Sequence, residues 1–249
     1  MSTDSATYVY GVVAGGSRPP KAPGIGGAEL KLVRADDVAA LVSDIGSDEL
    51  TFGREAMTAH AQVLEAALEV GTVLPMRFGI VLPGEDAVRA DLLQGHEQEL
   101  RQQLQELAGK VELKLRATYD EPRLMREVVA EDAEVAHLRD SLRGAPEDAT
   151  YYARIRLGEL VAAGVERKRQ ADGQAILDLL SPLALGVEVS DPAHERIVLS
   201  ASFLVDADRI AEFDEAVEGI GRAQAERMRL KYTGPLPPHS FVELSTAEV

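Results

Sequence analysis

The order of strands and helices after Gly109 is the strongest constraint on the fold of this 249-residue chain. Residues 111–119 (VELKLRATY) alternate apolar and polar side chains, which is the pattern of a strand with one buried face. Later patterns predict helices at 122–142 and 150–180, strands at 184–189 and 196–205, a helix ending near Ala223 and a strand at 227–233. This is the split βαβ order of a ferredoxin-like sandwich, so we expect such a domain with inserted helices.

The first half predicts a similar but less regular domain. Residues 8–14 (YVYGVVA) are β-branched and aromatic and predict a buried strand, whereas 17–27 are too rich in proline and glycine for a helix or a central strand. Strands at 30–33, 38–45 and 73–82 and helices at 54–70 and 85–107 complete this half. We therefore predict an α+β protein with two domains, both modified ferredoxin-like sandwiches with antiparallel sheets packed by helices. They span residues 1–109 and 110–249, and the second ends in a proline-rich tail.

Charge and cysteine content narrow the possible partners. Forty-two acidic and 26 basic residues give a net charge of −16, which repels phosphate backbones and argues against nucleic-acid binding. The absence of cysteine fits a reducing compartment. The first seven residues lack the pattern of a signal peptide, and no apolar run approaches the roughly 20 residues of a membrane span. We expect a cytoplasmic, soluble protein.

No pattern in the chain predicts catalysis. The glycines after the first strand lack the GK[ST] ending of a phosphate-binding loop, and prolines follow them. The histidines have no metal-ligand partner at helical or hairpin spacing, which favours surface or helix-face positions; they are His60, His96, His137, His194 and His239. We therefore predict no enzyme, no cofactor and no metal site.

One compact basic cluster lies in the long helix and consists of Arg167, Lys168 and Arg169. It could bind a phosphate group. Pairing with the nearby carboxylates Glu166 and Asp172 on a solvated helix face is the favoured interpretation, because such pairs are common on helices.

Two segments do stand out. Residues 73–81 (VLPMRFGIV) place the single charged residue Arg77 in a dense apolar stretch, where burying it without a partner would be costly, so an internal ion pair at a domain boundary is expected. Residues 233–242 (TGPLPPHSFV) are a stiff proline-rich stretch near the end of the chain. This stretch predicts either a tail pinned on the core or a docking surface for another chain.

These segments resemble the gas vesicle protein F/L family. The resemblance also includes YVYGVV at residues 8–13, the Tyr151-Tyr152 start of the long helix, and the strand with SFLV at 202–205, in family order across nearly the whole chain. It implies a minor gas vesicle component or assembly factor that contacts the small hydrophobic shell protein (GvpA type) and other accessory proteins. The candidate contact residues are Leu74, Pro75, Met76, Arg77, Phe78, Gly79, Gly234, Pro235, Leu236, Pro237, Pro238, His239 and Phe241.

The leading hypothesis is therefore an interaction protein of the gas vesicle that binds shell subunits and limits their aggregation. An acidic body would help to keep an apolar partner in solution. A small-ligand sensor remains the alternative, by analogy with other ferredoxin-like domains. An enzyme built from dispersed acids and histidines is a second alternative, and it would need a deep pocket with convergent titratable groups.

Overall fold

The computed structural model describes residues 6–46 and 53–243, apart from the side chains of 147–149. The described chain forms two compact units. The first contains the residues up to Glu112 together with those from Gly234 onward, and the second is Leu113–Thr233. The predicted α+β class is confirmed, with one antiparallel sheet of five strands and another of four.

The sheet of the first unit contains β1 (Ala6–Ala14), β2 (Lys31–Ala35), β3 (Val38–Ile45), β4 (Val73–Pro75) and β5 (Val81–Leu82). Its order is β2-β3-β1-β4, and β5 also pairs with β1. Strand β1 lies inside the sheet with a strand on either side, and all of its β-branched and aromatic residues are buried. Strands β2 and β3 form a hairpin whose turn contains Asp36 at φ 45°.

The connection from β1 to β2 passes β3 without a regular α-helix. It is the proline- and glycine-rich stretch predicted as a loop, and its one helical element is the short 3₁₀ turn Ile25–Gly27. The second crossover, from β3 to β4 past β1, does contain a helix, α1 (Arg54–Val70). The first unit is therefore a split βαβ arrangement in which a loop replaces one of the two helices.

The helices of the first unit differ from the prediction at one point. Helix α1 ends at Gly71 as expected, and the Gly71 N–H donates to the Ala67 carbonyl (3.1 Å). The single helix predicted at 85–107 is wrong, because the chain forms α2 (Gly84–Ala87), a π-helical segment (Val88–Gln94) and α3 (Glu97–Glu106). Gly95 lies at the break, where a poor helix former allows the chain to change direction.

The second unit has the predicted split βαβ order. Its sheet contains β6 (Lys110–Tyr119), β7 (Gly186–Val189), β8 (Ile197–Asp206) and β9 (Met228–Leu236), in the order β7-β8-β6-β9. Helix α6 (Glu147–Leu180) belongs to the crossover from β6 to β7, and α7 (Ile210–Gln224) to the crossover from β8 to β9. Each crossover passes an intervening strand, as the sequence pattern indicated.

The predicted helix at 122–142 is two helices, α4 (Glu121–Glu131) and α5 (Ala133–Ser141). Asp132 separates them. Its Oδ1 accepts hydrogen bonds from the N–H groups of Glu134 (3.0 Å) and Val135 (3.2 Å), so the aspartate caps a new helix and interrupts the first.

The chain end belongs to a different unit from the one assigned by the sequence. The prediction placed all of residues 110–249 in the second domain, whereas the residues from Gly234 onward group with the first unit. Within the first unit, the side chain of Glu112 accepts hydrogen bonds from both the N–H and the hydroxyl of Ser240 (2.8 Å each). Within the described residues, none of the helices is long and apolar enough to cross a membrane.

Candidate functional site

The first candidate segment, residues 74–79, begins in the core and continues as a loop. Leu74, Pro75 and Met76 are buried, and the Met76 N–H donates to the Tyr10 carbonyl (2.9 Å). Pairing with β1 resumes where the Ile80 carbonyl accepts from the Val9 N–H (3.0 Å). The residues between these two hydrogen bonds leave the sheet, and we call residues 76–80 the bulge loop.

Gly11 allows β4 to lie close against β1. A Cβ atom at this position would lie 2.7 Å from the Leu74 carbonyl oxygen, which is closer than side chains tolerate. The glycine in the YVYGVV stretch therefore positions the strand from which the bulge loop leaves.

Hydrogen bonds and rings hold the bulge loop on the core. The Gly79 N–H donates to the Tyr8 hydroxyl (3.0 Å), and Gly79 has a φ of 96°, a conformation that favours glycine. The ring of Phe78 lies 5.6 Å from the ring of His60 and 6.3 Å from that of Tyr8. The loop is thus fixed by two residues of the core, one from β1 and one from α1.

His60 is the polar centre of this cluster. It is only 5% exposed, and its Nδ1 lies 2.9 Å from the Tyr8 hydroxyl. Burial, and to a lesser degree the neighbouring His239, lower the pKa of His60 from 6.5 to about 4, while the main-chain carbonyl of Met76 acts in the opposite direction. His60 is therefore neutral at pH 7, and its Nε2 has no hydrogen bond of normal geometry within the described residues.

Arg77 is exposed, so the predicted internal ion pair is wrong. The bulge loop turns this residue away from the apolar strand, and it forms no ion pair with the described part of the chain. The pattern of the sequence was misleading because it suggested one continuous strand. Because the chain leaves the sheet at the bulge loop, the guanidinium of Arg77 stays in solvent and no cost of burial arises.

The second candidate segment, residues 234–241, is buried in its middle and is held by hydrogen bonds at its C-terminal end. Gly234 and Pro235 are exposed at the end of β9, Leu236 and Phe241 are half-buried, and Pro237 and Pro238 are buried. Ser240 then binds the fully buried carboxylate of Glu112, as described above, and the Glu243 N–H donates to the side chain of Gln103 (3.1 Å). His239 directly precedes the first of these anchors and is exposed.

The two segments meet at His60. Phe78 of the bulge loop contacts its ring, and His239 of the tail is close enough to lower its pKa. Phe78 and His239 therefore both act on His60, and Arg77, the residue before Phe78, is exposed. We call Arg77, Phe78 and His239 the loop–tail surface.

Sequence reasoning missed the residues that organise this surface, which are Tyr8, Tyr10, His60 and Glu112. The hydroxyl groups of Tyr10 and Ser43 share a hydrogen bond (2.9 Å). The Tyr10 hydroxyl also accepts a hydrogen bond from the Ile25 N–H (2.8 Å). A signal for His60 did exist, because it lies three, four and seven residues before Val63, Leu64 and Ala67 on the buried face of α1. Glu112 gave no such signal. Acidic residues are expected on the solvent-facing side of a half-buried strand, so the sequence did not indicate that this one is buried.

The basic cluster of the second unit is a network of ion pairs. Arg169 pairs with Glu166 (2.6 Å), as favoured by the sequence, but Asp172 binds Arg227 (2.8 Å) and the hydroxyl of Tyr119 (2.5 Å). Lys168 pairs with Glu127 (3.1 Å) and Glu131 (2.7 Å), and Arg167 with Asp132 (3.6 Å).

Two of these ion pairs, Lys168–Glu131 and Arg167–Asp132, together with Asp172, line a groove of about 330 Å³ between α4 and α6. Burial would raise the pKa of Glu127, but hydrogen bonds from Arg227 and Lys168 outweigh it and hold the pKa at about 2. Since its charged groups neutralise one another, the groove offers little free charge to a phosphate. Across residues 6–46 and 53–243, no three His, Asp or Glu side chains are grouped so as to hold a metal ion.

Comparison with known proteins gives a consistent result. Residues 6–243 match the family described as "Gas vesicle synthesis protein GvpL/GvpF". The chain is 36% identical to gas vesicle protein F of Streptomyces sp. (strain CB03234) over 96% of its length and all of that protein. It is 30% identical to gas vesicle protein L of the same strain, over 100% of this chain and 97% of the other. The crystal structure of GvpF from Anabaena sp. PCC7120 superposes with a TM-score of 0.85 at 26% identity, covering 97% of this chain and 99% of that one.

Proposed function

Because the chain belongs to the gas vesicle synthesis protein GvpL/GvpF family and so has an accessory role in gas vesicles, we propose that it binds the small hydrophobic shell protein (GvpA type) during vesicle assembly. In this role it limits aggregation of the shell protein, either as an assembly and nucleation factor or as a minor component of the vesicle. Other gas vesicle accessory proteins are its further partners. The role requires no catalytic step.

The observation that carries this proposal is the meeting of the two candidate segments at His60. Phe78 of one stretch contacts the buried His60 ring, and His239 of the other, about 160 residues further along the chain, contributes to lowering the pKa of His60; Arg77, which precedes Phe78, and His239 are exposed. A rigidly held surface of this kind suits binding, since little conformational entropy is lost when a partner docks on it. The buried members, such as Leu74 and Pro238, act by positioning the exposed ones.

The charge of the chain supports the proposal that it limits aggregation of the shell protein. A protein with a net charge of −16 remains soluble and repels other copies of itself. If it covers apolar surface on a shell subunit, the complex inherits this charge, and complexes that repel one another aggregate more slowly.

Co-expression of the shell protein with this chain tests the proposal. We expect the two proteins to co-purify and the shell protein to shift from the pellet to the supernatant on centrifugation. Arg77→Glu should reduce both effects, whereas Arg54→Glu, at an exposed position of the same unit outside the loop–tail surface, should leave them unchanged. Shell protein that neither co-purifies nor becomes more soluble with the wild-type chain would refute the proposal. If both variants behave like the wild type, the loop–tail surface is not the contact.

A further inference from the structure

Strand β7 is an open edge of the sheet in the second unit. It pairs with β8 on one side, and the Ser190 N–H donates to the Ser200 carbonyl (2.9 Å) where this pairing ends. Hydrogen-bonded pairs alternate along an antiparallel ladder, so the main chain of Glu188 also faces β8, whereas the N–H and C=O groups of Val187 and Val189 point away from it. Within the described part of the chain, these outward groups have no hydrogen-bond partner.

The other sheet edges of the described chain are protected against further pairing. On β2, the Arg89 side chain donates to the main-chain carbonyl of Arg34 (3.2 Å), and the π-helical segment after α2 lies beside the strand. At the opposite edge of that sheet, β4 and β5 contain only three and two residues. Strand β9 contains Arg229, Lys231 and Pro235. Short strands, charged side chains and prolines are common means of keeping sheet edges from pairing.

Strand β7 lacks these protections. The N–H groups of Leu185, which donates to the Leu204 carbonyl (2.8 Å), and of Ser190 extend its pairing with β8 to six residues. Glu188 is the one charged residue among them. Leu185 is 53% exposed and Val189 is 55% exposed, so this edge is also apolar.

The apolar side chains of this edge continue the core of the second unit. Val187 lies opposite Phe203 in the register with β8. Phe203 is fully buried, and its ring packs on Phe213 of α7 with centroids 5.1 Å apart. A strand added beyond β7 would extend both the hydrogen-bonded sheet and this apolar face. The edge therefore fits an extended chain with apolar residues at alternate positions.

Strand β7 of a second copy has this pattern, and the register decides how two copies can pair. Outward-facing residues must meet one another, in an antiparallel pairing about a two-fold axis. An axis at Glu188 places two carboxylates directly opposite each other, which is unfavourable. An axis at Val189 places Val187 opposite Asp191, which sets an apolar side chain against a carboxylate.

An axis at Val187 avoids these conflicts. Each Val189 then lies opposite Leu185 of the other copy, and each Glu188 lies opposite Gly186. An axis at Gly186 is less favourable, because it pairs Val187 with Leu185, whose N–H already bonds to β8. Only the axis at Val187 joins two residues that both have outward N–H and C=O groups without opposing like charges.

We infer that two copies of this chain associate through β7, antiparallel about a two-fold axis at Val187. The two sheets then form one continuous sheet of eight strands, four from each copy. This self-association goes beyond the proposed function, whose loop–tail surface lies in the first unit.

The association is reversible and depends on salt. Pairing of six-residue strands buries less than the roughly 800 Å² per partner of a stable interface. The net charge of −16 on each copy also opposes association. Salt screens charges separated by more than about 10 Å at 0.1 M, so the dimer should strengthen as the salt concentration rises.

Single cysteines test the register, because the chain has no cysteine of its own. In Val187→Cys the two introduced residues form one hydrogen-bonded pair with Cα atoms about 5.5 Å apart, which a disulfide can span. In Glu188→Cys they are offset by two residues, with Cα atoms more than about 7 Å apart, which a disulfide cannot span. Under mild oxidation, Val187→Cys should form cross-linked dimers at least about ten times faster than Glu188→Cys. Equal rates, a faster Glu188→Cys, or no cross-link in either variant would overturn the inference.

Sedimentation of the full-length chain alone tests association without a cross-link. The dimer fraction of the wild type should rise with protein and salt concentration, and Val189→Glu should weaken association by about tenfold, because it places a carboxylate against Leu185 of the other copy. Val70→Glu is the matched control, since Val70 is an exposed valine (61%) of the first unit and the substitution adds the same charge. Both variants change exposed side chains and should unfold at the same urea concentration as the wild type.

The outcomes separate this inference from the proposed function. Identical sedimentation of the wild type and Val189→Glu refutes pairing through β7, whatever the chain binds. If the wild type is monomeric alone and Val189→Glu loses co-purification with the shell protein, the edge binds a strand of that partner. The inference is then overturned while the proposed function stands.

Discussion

The Tyr8 hydroxyl lies 2.9 Å from Nδ1 of His60, a residue 52 positions further along the chain. The same hydroxyl accepts the Gly79 N–H, so one oxygen joins β1, α1 and the bulge loop. Burial is the largest cause of the rise in the pKa of Tyr8 to about 12, which keeps the hydroxyl protonated at neutral pH.

Removing this hydroxyl should loosen the bulge loop. Tyr8→Phe leaves the Gly79 N–H and His60 Nδ1 without their shared partner, and leaving such groups unsatisfied costs about 1–3 kcal/mol. We expect a loss of this size in the free energy of unfolding, measured in urea. Tyr151→Phe removes an exposed hydroxyl on α6 and should change the stability by less than about 0.5 kcal/mol. Equal stability of the two variants would show that the Tyr8 hydrogen bonds contribute nothing net.

The buried His60 should make the protein less stable in mild acid. Its pKa is about 4 in the folded protein, against 6.5 for the unfolded value, so below pH 6.5 the unfolded state binds the additional proton. Stability is therefore lost as the pH falls from 6.5 to about 4, by at most about 3 kcal/mol at 1.36 kcal/mol per pH unit. Urea unfolding of the wild type and of His60→Gln between pH 7.5 and 4.5 measures this.

The difference in stability between wild type and His60→Gln should shift in favour of the variant as the pH falls. His194→Gln serves as the control, because His194 is exposed in the turn before β8. A difference between wild type and His60→Gln that stays constant over this range would contradict the assignment of the low pKa to His60.

The tail should influence His60 directly. His239 lowers the pKa of His60, so His239→Gln is expected to raise that pKa toward 6.5. The imidazole signals of His60, followed by NMR during a pH titration, report the change. His96→Gln, in the same unit, should leave the titration unchanged. An unaltered pKa of His60 in His239→Gln would mean that the tail does not interact electrostatically with His60, which would weaken the case for the loop–tail surface.

Sequence reasoning predicted the local elements well and the contacts between distant elements poorly. Periodicity in 111–119 and the order of later elements led to the split βαβ sheet, because hydrophobic patterning follows from which face is buried. The break at Asp132 was missed, although an aspartate before a new apolar stretch is a helix-start signal.

The contacts of the candidate site depend on pairs that are remote in sequence. Tyr8 with His60, and Glu112 with Ser240, leave no trace in any local window, so neither could be foreseen. Arg77 was placed within a single strand at 73–82, with an edge or kink, because nearly all the residues around it are apolar. Only the pairing of β1 with two separate short strands reveals the loop that carries it outward.

The last prediction concerns the ion-pair network of the second unit. Arg227 binds Glu127 (3.0 Å) and Asp172 (2.8 Å), so Arg227→Gln leaves two partly buried carboxylates with less positive charge, at a cost of about 2 kcal/mol or more. Because the pKa of Glu127 is lowered from 4.5 to about 2 in the folded state, this contribution is present above pH 4.5 and is lost as the pH falls toward 2. The difference in free energy of unfolding between wild type and Arg227→Gln should therefore be larger at pH 7 than at pH 3.

Arg222→Gln is the control for this prediction. It removes an exposed ion pair with Glu218 and should cost less than about 0.5 kcal/mol at both pH values. An Arg227→Gln cost as small as that of the control, or one independent of pH, would mean that the network does not stabilise the fold.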